Sequence, residues 1–140
     1  MKFVLATANA GKAREIADVL RGAGVDDLEL VPRPDGVPEV DETGITLEDN
    51  ARLKALYYGA HTHELTVAED SGLVIDALDG APGVNSARYL GEHATYPERF
   101  AHILRELEAR QLGRAARFIC ALVLVRDGRI LFEAEGRVEG

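Results

Sequence analysis

The chain has 140 residues, 46% of them hydrophobic, and shows no shift in composition along its length, so residues 1–140 read as one domain able to bury a core. Sixteen basic residues against twenty-four acidic ones give a net charge of −8. That balance excludes a protein that grips nucleic acid by general phosphate neutralisation, and any phosphate-bearing ligand has to be captured by a local site.

The chain opens on "KFVLAT", a short buried strand bounded by "NAG". Its apolar part is too short for a signal peptide and no later run reaches membrane-spanning length, so the expected location is the cytoplasm. From Lys12 to about Arg21, residues Ala13, Ile16, Ala17, Val19 and Leu20 recur at helical spacing, with Gly22 and Gly24 as stop signals. "LELV" is a second strand, ended by the turn region Pro32 to Pro38. Thr46, with Asp49 three residues later, is a capping-box variant that opens a helix through about Tyr58. "LTVAED" and "GLVIDAL" read as two strands and "DGAPG" as a turn. Thr95 with Glu98 repeats the helix-start signal. Pro97 lies in that helix's first turn, and Phe100, Ile103, Leu104 and Leu107 form its buried stripe, up to Gly113. "ARFICALVLV" and "RILFEAEG" then flank "RDGR", a hairpin with an Asp-Gly turn. The single cysteine, Cys120, lies in the first of these strands as a buried, inert thiol, which fits a reducing compartment.

This order predicts the α/β class, a mixed sheet with helices packed on it. The chain stops at "EGRVEG", directly after a strand, which leaves an unclosed sheet edge and points to a larger fold of which these residues are part.

Three stretches carry chemistry. In "ATANAGKARE", a strand end with Thr7 and Asn9 leads through Gly11 to Lys12 in the first turn of a helix, where unpaired amides and the positive end of the dipole suit an anion. The P-loop spacing is absent, and the plainer reading is a strand-to-helix turn capped by Asn9 with Lys12 in solvent. In "VDETGITLEDNARLKA", Asn50 and Lys54 share a helical face, either towards a polyanion or towards solvent, and Asp41 and Glu42 precede the helix as metal ligands or as an acidic loop. In "AEDSGL", alternation along a strand sends Glu69 and Asp70 to opposite faces, so one of the two acids does the chemistry. Asp70 beside a loop acid would be repelled by roughly 4 kcal/mol at 4 Å unless a cation such as magnesium lies between them. His61, His63, His93 and His102 read as surface residues, and no Ser-His or Cys-His pairing offers a side-chain nucleophile.

In this order, "ATANAGKARE", "ETGITLEDNARLKA", "AEDSGL", "GAPGVNSARY" and "ARFICALVLV…EGRVEG" resemble the inosine triphosphate pyrophosphatase family, the XTP/dITP diphosphatases, over essentially all of the chain. The resemblance implies a two-lobed α/β fold of the Maf type, with an elongated mixed sheet flanked by helices. It also implies a homodimer and magnesium-dependent hydrolysis of ITP, dITP or XTP to the monophosphate and pyrophosphate. Matching the motifs, the Thr7–Lys12 loop (Thr7, Ala8, Asn9, Ala10, Gly11, Lys12) would bind the phosphates and Lys54 would add a second positive contact. Asp70 would hold magnesium and activate water, and Ser71 would touch the substrate. Glu42 is the favoured second metal ligand, with Asp41 and Glu39 as alternatives, and Arg88 either lines the cleft or serves as a packing or dimer contact. The family's "GFGYDP" and "SHR" segments, which hold the base, are not among these residues, so the alternative is a nucleotide-binding module without catalysis. A receiver-type regulatory domain would need an acidic pair after the first strand, and "LATANA" has none.

Overall fold

The computed structural model describes residues 1–140. In chain order the elements are β1 (Lys2–Leu5), α1 (Ala10–Gly22), β2 (Glu29–Val31), α2 (Leu47–Gly59), β3 (Leu65–Ile75), two 3₁₀ turns (Asp76–Leu78 and Gly83–Arg88), α3 (Tyr96–Ala109), β4 (Ala116–Arg126) and β5 (Arg129–Glu139). They build one five-stranded mixed sheet in the order β2-β1-β3-β4-β5. β1 runs parallel to β2 and β3, whereas β3, β4 and β5 are antiparallel. The expected α/β architecture, a mixed sheet flanked by helices, is the one observed. No helix is long and apolar enough to cross a membrane.

One expectation is corrected here: "LTVAED" and "GLVIDAL" are not two strands. β3 runs unbroken through "AEDSGL" because β4, itself apolar and continuous, pairs with it from Thr66 opposite Val125 to Ile75 opposite Ala116. Gly72 lies within that ladder, and its missing side chain admits the Gly83–Arg88 turn. A Cβ there would sit 2.3 Å from the Gly83 carbonyl oxygen. The close approach lets Ser86 Oγ accept from Leu73 N at 2.8 Å and donate to Gly83 O at 2.6 Å.

α2 covers one sheet face. Its buried residues are Leu47, Asn50, Ala51, Ala55, Tyr58 and Gly59, and the small ones among them, Ala51, Ala55 and Gly59, bring the helix close to Ala121, Val123 and Val125 of β4. Val123 and Val125 are each 1% exposed, and burying such side chains contributes about 1.5–3 kcal/mol apiece before conformational entropy is counted. Thr46 caps α2 by accepting from Asp49 N at 3.1 Å. The return bond of a full capping box is missing, because the shorter Asp49 side chain pairs with Arg52 instead.

α3 packs at the far end of the sheet, where Ile103 and Leu107 meet Ile75 in a second, smaller cluster. Its Thr95–Glu98 capping box has both bonds, at 3.3 and 3.2 Å. The expected stripe is narrower than the spacing predicts. Phe100 and Leu104 are 47% and 41% exposed, because only the Ile103–Leu107 row faces the sheet end. The helix also stops at Ala109 rather than Gly113. The β4–β5 hairpin turns at Asp127 and Gly128, both with positive φ (49° and 75°), as an Asp-Gly turn requires. β5 is exposed along its whole length at the sheet edge.

Candidate active site

A cleft of about 490 Å³ opens where β1 ends and β3 continues past it. The β1–α1 turn contributes Thr7, Ala8 and Asn9, the loop before α2 contributes Glu39 to Glu42, and α2 contributes Lys54 and Tyr58. Asp70 and Ser71 line it from β3, and Ala87 and Arg88 from the turn docked on Gly72.

Strand alternation sorts the acids as expected. Ser71 Oγ donates to Glu69 Oε2 at 2.6 Å, and Cys120 Sγ lies 3.7 Å from the same oxygen, placing this trio on the sheet face opposite α2. Asp70 faces α2 and the cleft. There the Lys54 ammonium stands between two carboxylates, 3.1 Å from Glu42 Oε1 and 3.6 Å from Asp70 Oδ1. The three side chains of Lys54, Glu42 and Asp70 retain only 13%, 32% and 12% of their exposure. Desolvation raises the Asp70 pKa above its ordinary value; Lys54 pulls it down and Glu42 pushes it up, and the net direction shows that burial outweighs the ammonium.

Asn50 sets this arrangement from beneath. It is fully buried, and its Oδ1 accepts from Gly44 N at 2.7 Å, which ties the loop carrying Glu42 to α2. Asn50 Nδ2 lies close enough to lower the Asp70 pKa, but outside hydrogen-bond geometry. Both Nδ2 and Asp70 Oδ2 are therefore buried without a partner. An unpaired carboxylate oxygen in such a place is costly, and a ligand or water that met it would relieve that cost.

The first turn takes the plainer of its two expected forms, a strand-to-helix turn capped by Asn9. Asn9 Oδ1 accepts from Gly11 N at 2.9 Å and Lys12 N at 3.2 Å, and Thr7 Oγ1 accepts from Asn9 N at 3.1 Å, so amides that an anion site would leave free are satisfied within the turn. Thr7, Ala8 and Asn9 reach the cleft, but Ala10, Gly11 and Lys12 do not line it. The helix already begins at Ala10, and Lys12 turns to the other sheet face, where its Nζ is 3.0 Å from Glu15 Oε2. That contact, with the nearby Glu69, raises the Lys12 pKa despite partial burial. Lys12 and Asp70 thus do not share one cleft in this structure. Ser71 is on the cleft wall, yet its hydroxyl is directed to Glu69.

Of the three loop acids, only Glu42 shares Lys54 with Asp70. Glu39 pairs with Arg33 at 3.3 Å, and Asp41 is exposed. Arg33 and Tyr58 are cleft residues that the sequence pattern did not disclose. Arg33 Nη1 donates to Tyr58 OH at 2.8 Å, and Val40 N donates to the same oxygen at 3.3 Å. "PRP" reads as a turn and Tyr58 as a helix end, and nothing local to either announces a shared cleft. Arg88 lines the cleft, the first of its two expected roles.

No three or more His, Cys, Asp or Glu side chains converge on one point. The donor set is a pair, Asp70 and Glu42, of a kind suited to a hard cation that completes its shell with water and phosphate oxygens.

Known proteins resemble the chain over nearly its whole length. The Ham1 family model matches residues 3–140. A dITP/XTP pyrophosphatase of Oceanobacillus iheyensis is 38% identical over 140 residues, covering 99% of this chain and 71% of that protein. One from an Exiguobacterium species is 42% identical over 140 residues, covering 100% of this chain and 70% of that protein. Among solved structures, a HAM1 protein from Coxiella burnetii superposes with a TM-score of 0.88 at 36% identity, covering 100% of this chain and 72% of that one. A dITP/XTP pyrophosphatase from Mycobacterium abscessus superposes with a TM-score of 0.77 at 40% identity, covering 100% and 73%. A match through nearly the whole sequence and the whole fold leaves one assignment: the chain belongs to the Ham1 family.

Proposed function

We propose that the cleft hydrolyses the deaminated purine nucleotides ITP, dITP and XTP to the monophosphate and pyrophosphate. The observation that carries this reading is the Asp70–Lys54–Glu42 arrangement, with a buried, unpartnered carboxylate oxygen at its centre. The names borne by the Oceanobacillus and Exiguobacterium relatives support it.

The residues divide the work. Asp70 orients a water molecule for in-line attack on the α-phosphorus and accepts its proton. The new oxygen–phosphorus bond forms as the bond from the α-phosphorus to its bridging oxygen breaks, and pyrophosphate leaves. Lys54, held at the bottom of the cleft, sets a positive charge against the charge developing on the phosphates. Arg88 and Arg33 add positive charge at the cleft wall, and Thr7, Ala8 and Asn9 form the turn beside it. Glu42 and Asp70 would hold magnesium, which when bound neutralises phosphate charge and polarises the reacting oxygens. Glu42 and Asp70 also keep Lys54 in place in the free protein. In this reading Ser71 is tied to Glu69 on the far side of β3 and Lys12 pairs with Glu15 within α1, rather than gripping phosphate. The resemblance further supports a homodimer working in the cytoplasm, with light scattering in solution as the check on the dimer.

The test is Asp70→Asn, assayed for pyrophosphate release from dITP with magnesium. A fall in kcat of at least about a thousandfold, with an unchanged far-UV spectrum, is expected. Near-normal turnover in that variant would refute the assignment.

A further inference from the structure

We infer that Arg99 is a positioning residue: from inside α3 it holds residues 87–91 in the shape that presents Arg88 to the cleft. The inference rests on the substrate-binding role given to Arg88 above.

Arg99 is 5% exposed. No carboxylate pairs with it. Its guanidinium instead donates to three backbone carbonyls, Ala87 and Tyr89 at 2.7 Å each and Gly91 at 3.1 Å, and its Cζ lies 5.1 Å from the centre of the Tyr96 ring. A buried charge without a counter-ion is a poor way to fill space, and an apolar side chain would pack there at lower cost. What a guanidinium supplies, and neither Lys nor Met can, is a planar fork of donors that reaches three acceptors at once.

Within 88–91 the backbone has one turn bond, from Gly91 N to Arg88 O at 2.9 Å, and the rest of its shape is imposed from outside. Leu90 and Gly91 have φ of 64° and 94°, and a leucine in that region persists only where its surroundings impose it. At the other end, Ser86 is fixed to β3 through Leu73 N. Ala87 and Arg88, both lining the cleft, lie between these two anchors. The Arg99 end is in turn steadied by the Thr95–Glu98 cap and by the packing of Ile103 and Leu107 on Ile75. A cleft arginine is thus placed by a second arginine that has no contact with the cleft.

The experiment compares the wild type, Arg99→Lys, Arg88→Ala and the double variant by dITP kinetics and by amide hydrogen exchange. Arg99→Lys keeps the charge but loses the fork. It should raise KM about tenfold with kcat within about twofold, and speed exchange at 87–91. Arg88→Ala should raise KM at least as much, and Arg99→Lys should add nothing further in the Arg88→Ala background. Should Arg99→Lys fail to fold, Arg99→Gln, with two amide donors and no buried charge, is read in the same way. Unchanged KM in the Arg99 variant, KM effects that multiply in the double variant, or an Arg88→Ala protein with wild-type KM would each overturn the inference while leaving the Asp70→Asn test standing. A wild-type chain without turnover fails the proposed hydrolase function and this inference with it.

Discussion

Gly72→Ala probes the contact on which the cleft wall carrying Ala87 and Arg88 depends. The added methyl would lie 2.3 Å from Gly83 O, 2.9 Å from Gly83 C and 3.1 Å from Ser86 Oγ. The first distance is about 1 Å inside ordinary contact, and its partner is backbone, which cannot swing away as the end of a side chain can. The 83–88 turn must therefore lift off β3, stretching the 2.8 Å bond from Leu73 N to Ser86 Oγ. Overpacking of this kind costs about 1–3 kcal/mol and the weakened hydrogen bond about 1 kcal/mol more, so a loss near 3 kcal/mol is expected. For a chain of this size that lowers Tm by about 10 °C. Thermal melts followed by circular dichroism give the number, with Gly22→Ala as the control. Gly22 ends α1 with nothing within 4 Å of its would-be Cβ, and the control should gain about 0.5–1 kcal/mol. Because Ala87 and Arg88 ride on the lifted turn, KM for dITP should rise with the loss of stability. A Gly72→Ala protein melting within about 2 °C of wild type would show that the turn does not depend on this close approach.

Lys54→Met should lower kcat/KM for dITP at least a hundredfold and destabilise the free protein at neutral pH by about 1–2 kcal/mol, because Glu42 and Asp70 are left facing each other; steady-state kinetics and urea melts measure both. The Asp70 pKa is higher in the folded than in the unfolded chain, so this group favours folding only where it is protonated, below its unfolded value, and opposes folding as pH rises through the folded value. Asp70→Asn should thus be more stable than wild type in EDTA at pH 7, the gap closing towards pH 3; a variant less stable at pH 7 would mean that the Lys54 pair outweighs burial. Burial also pushes the Cys120 thiol above its ordinary pKa, with Glu69 adding to the effect. Iodoacetamide at pH 8 should then label native Cys120 at least about fivefold more slowly than the unfolded chain, as read by mass spectrometry.

Local chemistry alone determined much of this protein. The helices at 10–22, 47–59 and 96–109, the Asp-Gly hairpin, and the opposite orientation of Glu69 and Asp70 follow from caps, periodicity and strand alternation, each of which acts over a few residues. Asp70 beside a loop acid was legible as a set of residue types, whereas the placing of Lys54 between them was not. Which loop acid it would be depended on Asn50 reaching back to Gly44, a contact no spacing rule encodes. Tertiary structure alone decided the continuity of β3, because only the pairing of β4 along its whole length carries the strand through "AEDSGL". It also decided the placement of Lys12. A lysine in a first helical turn has several carboxylates within reach, and the choice of Glu15 over the cleft is made by the sheet face that α1 crosses. Arg33, Tyr58 and Arg99 were silent in the sequence for the same reason: their partners lie on other elements, so only the assembled fold gives these side chains a function to perform.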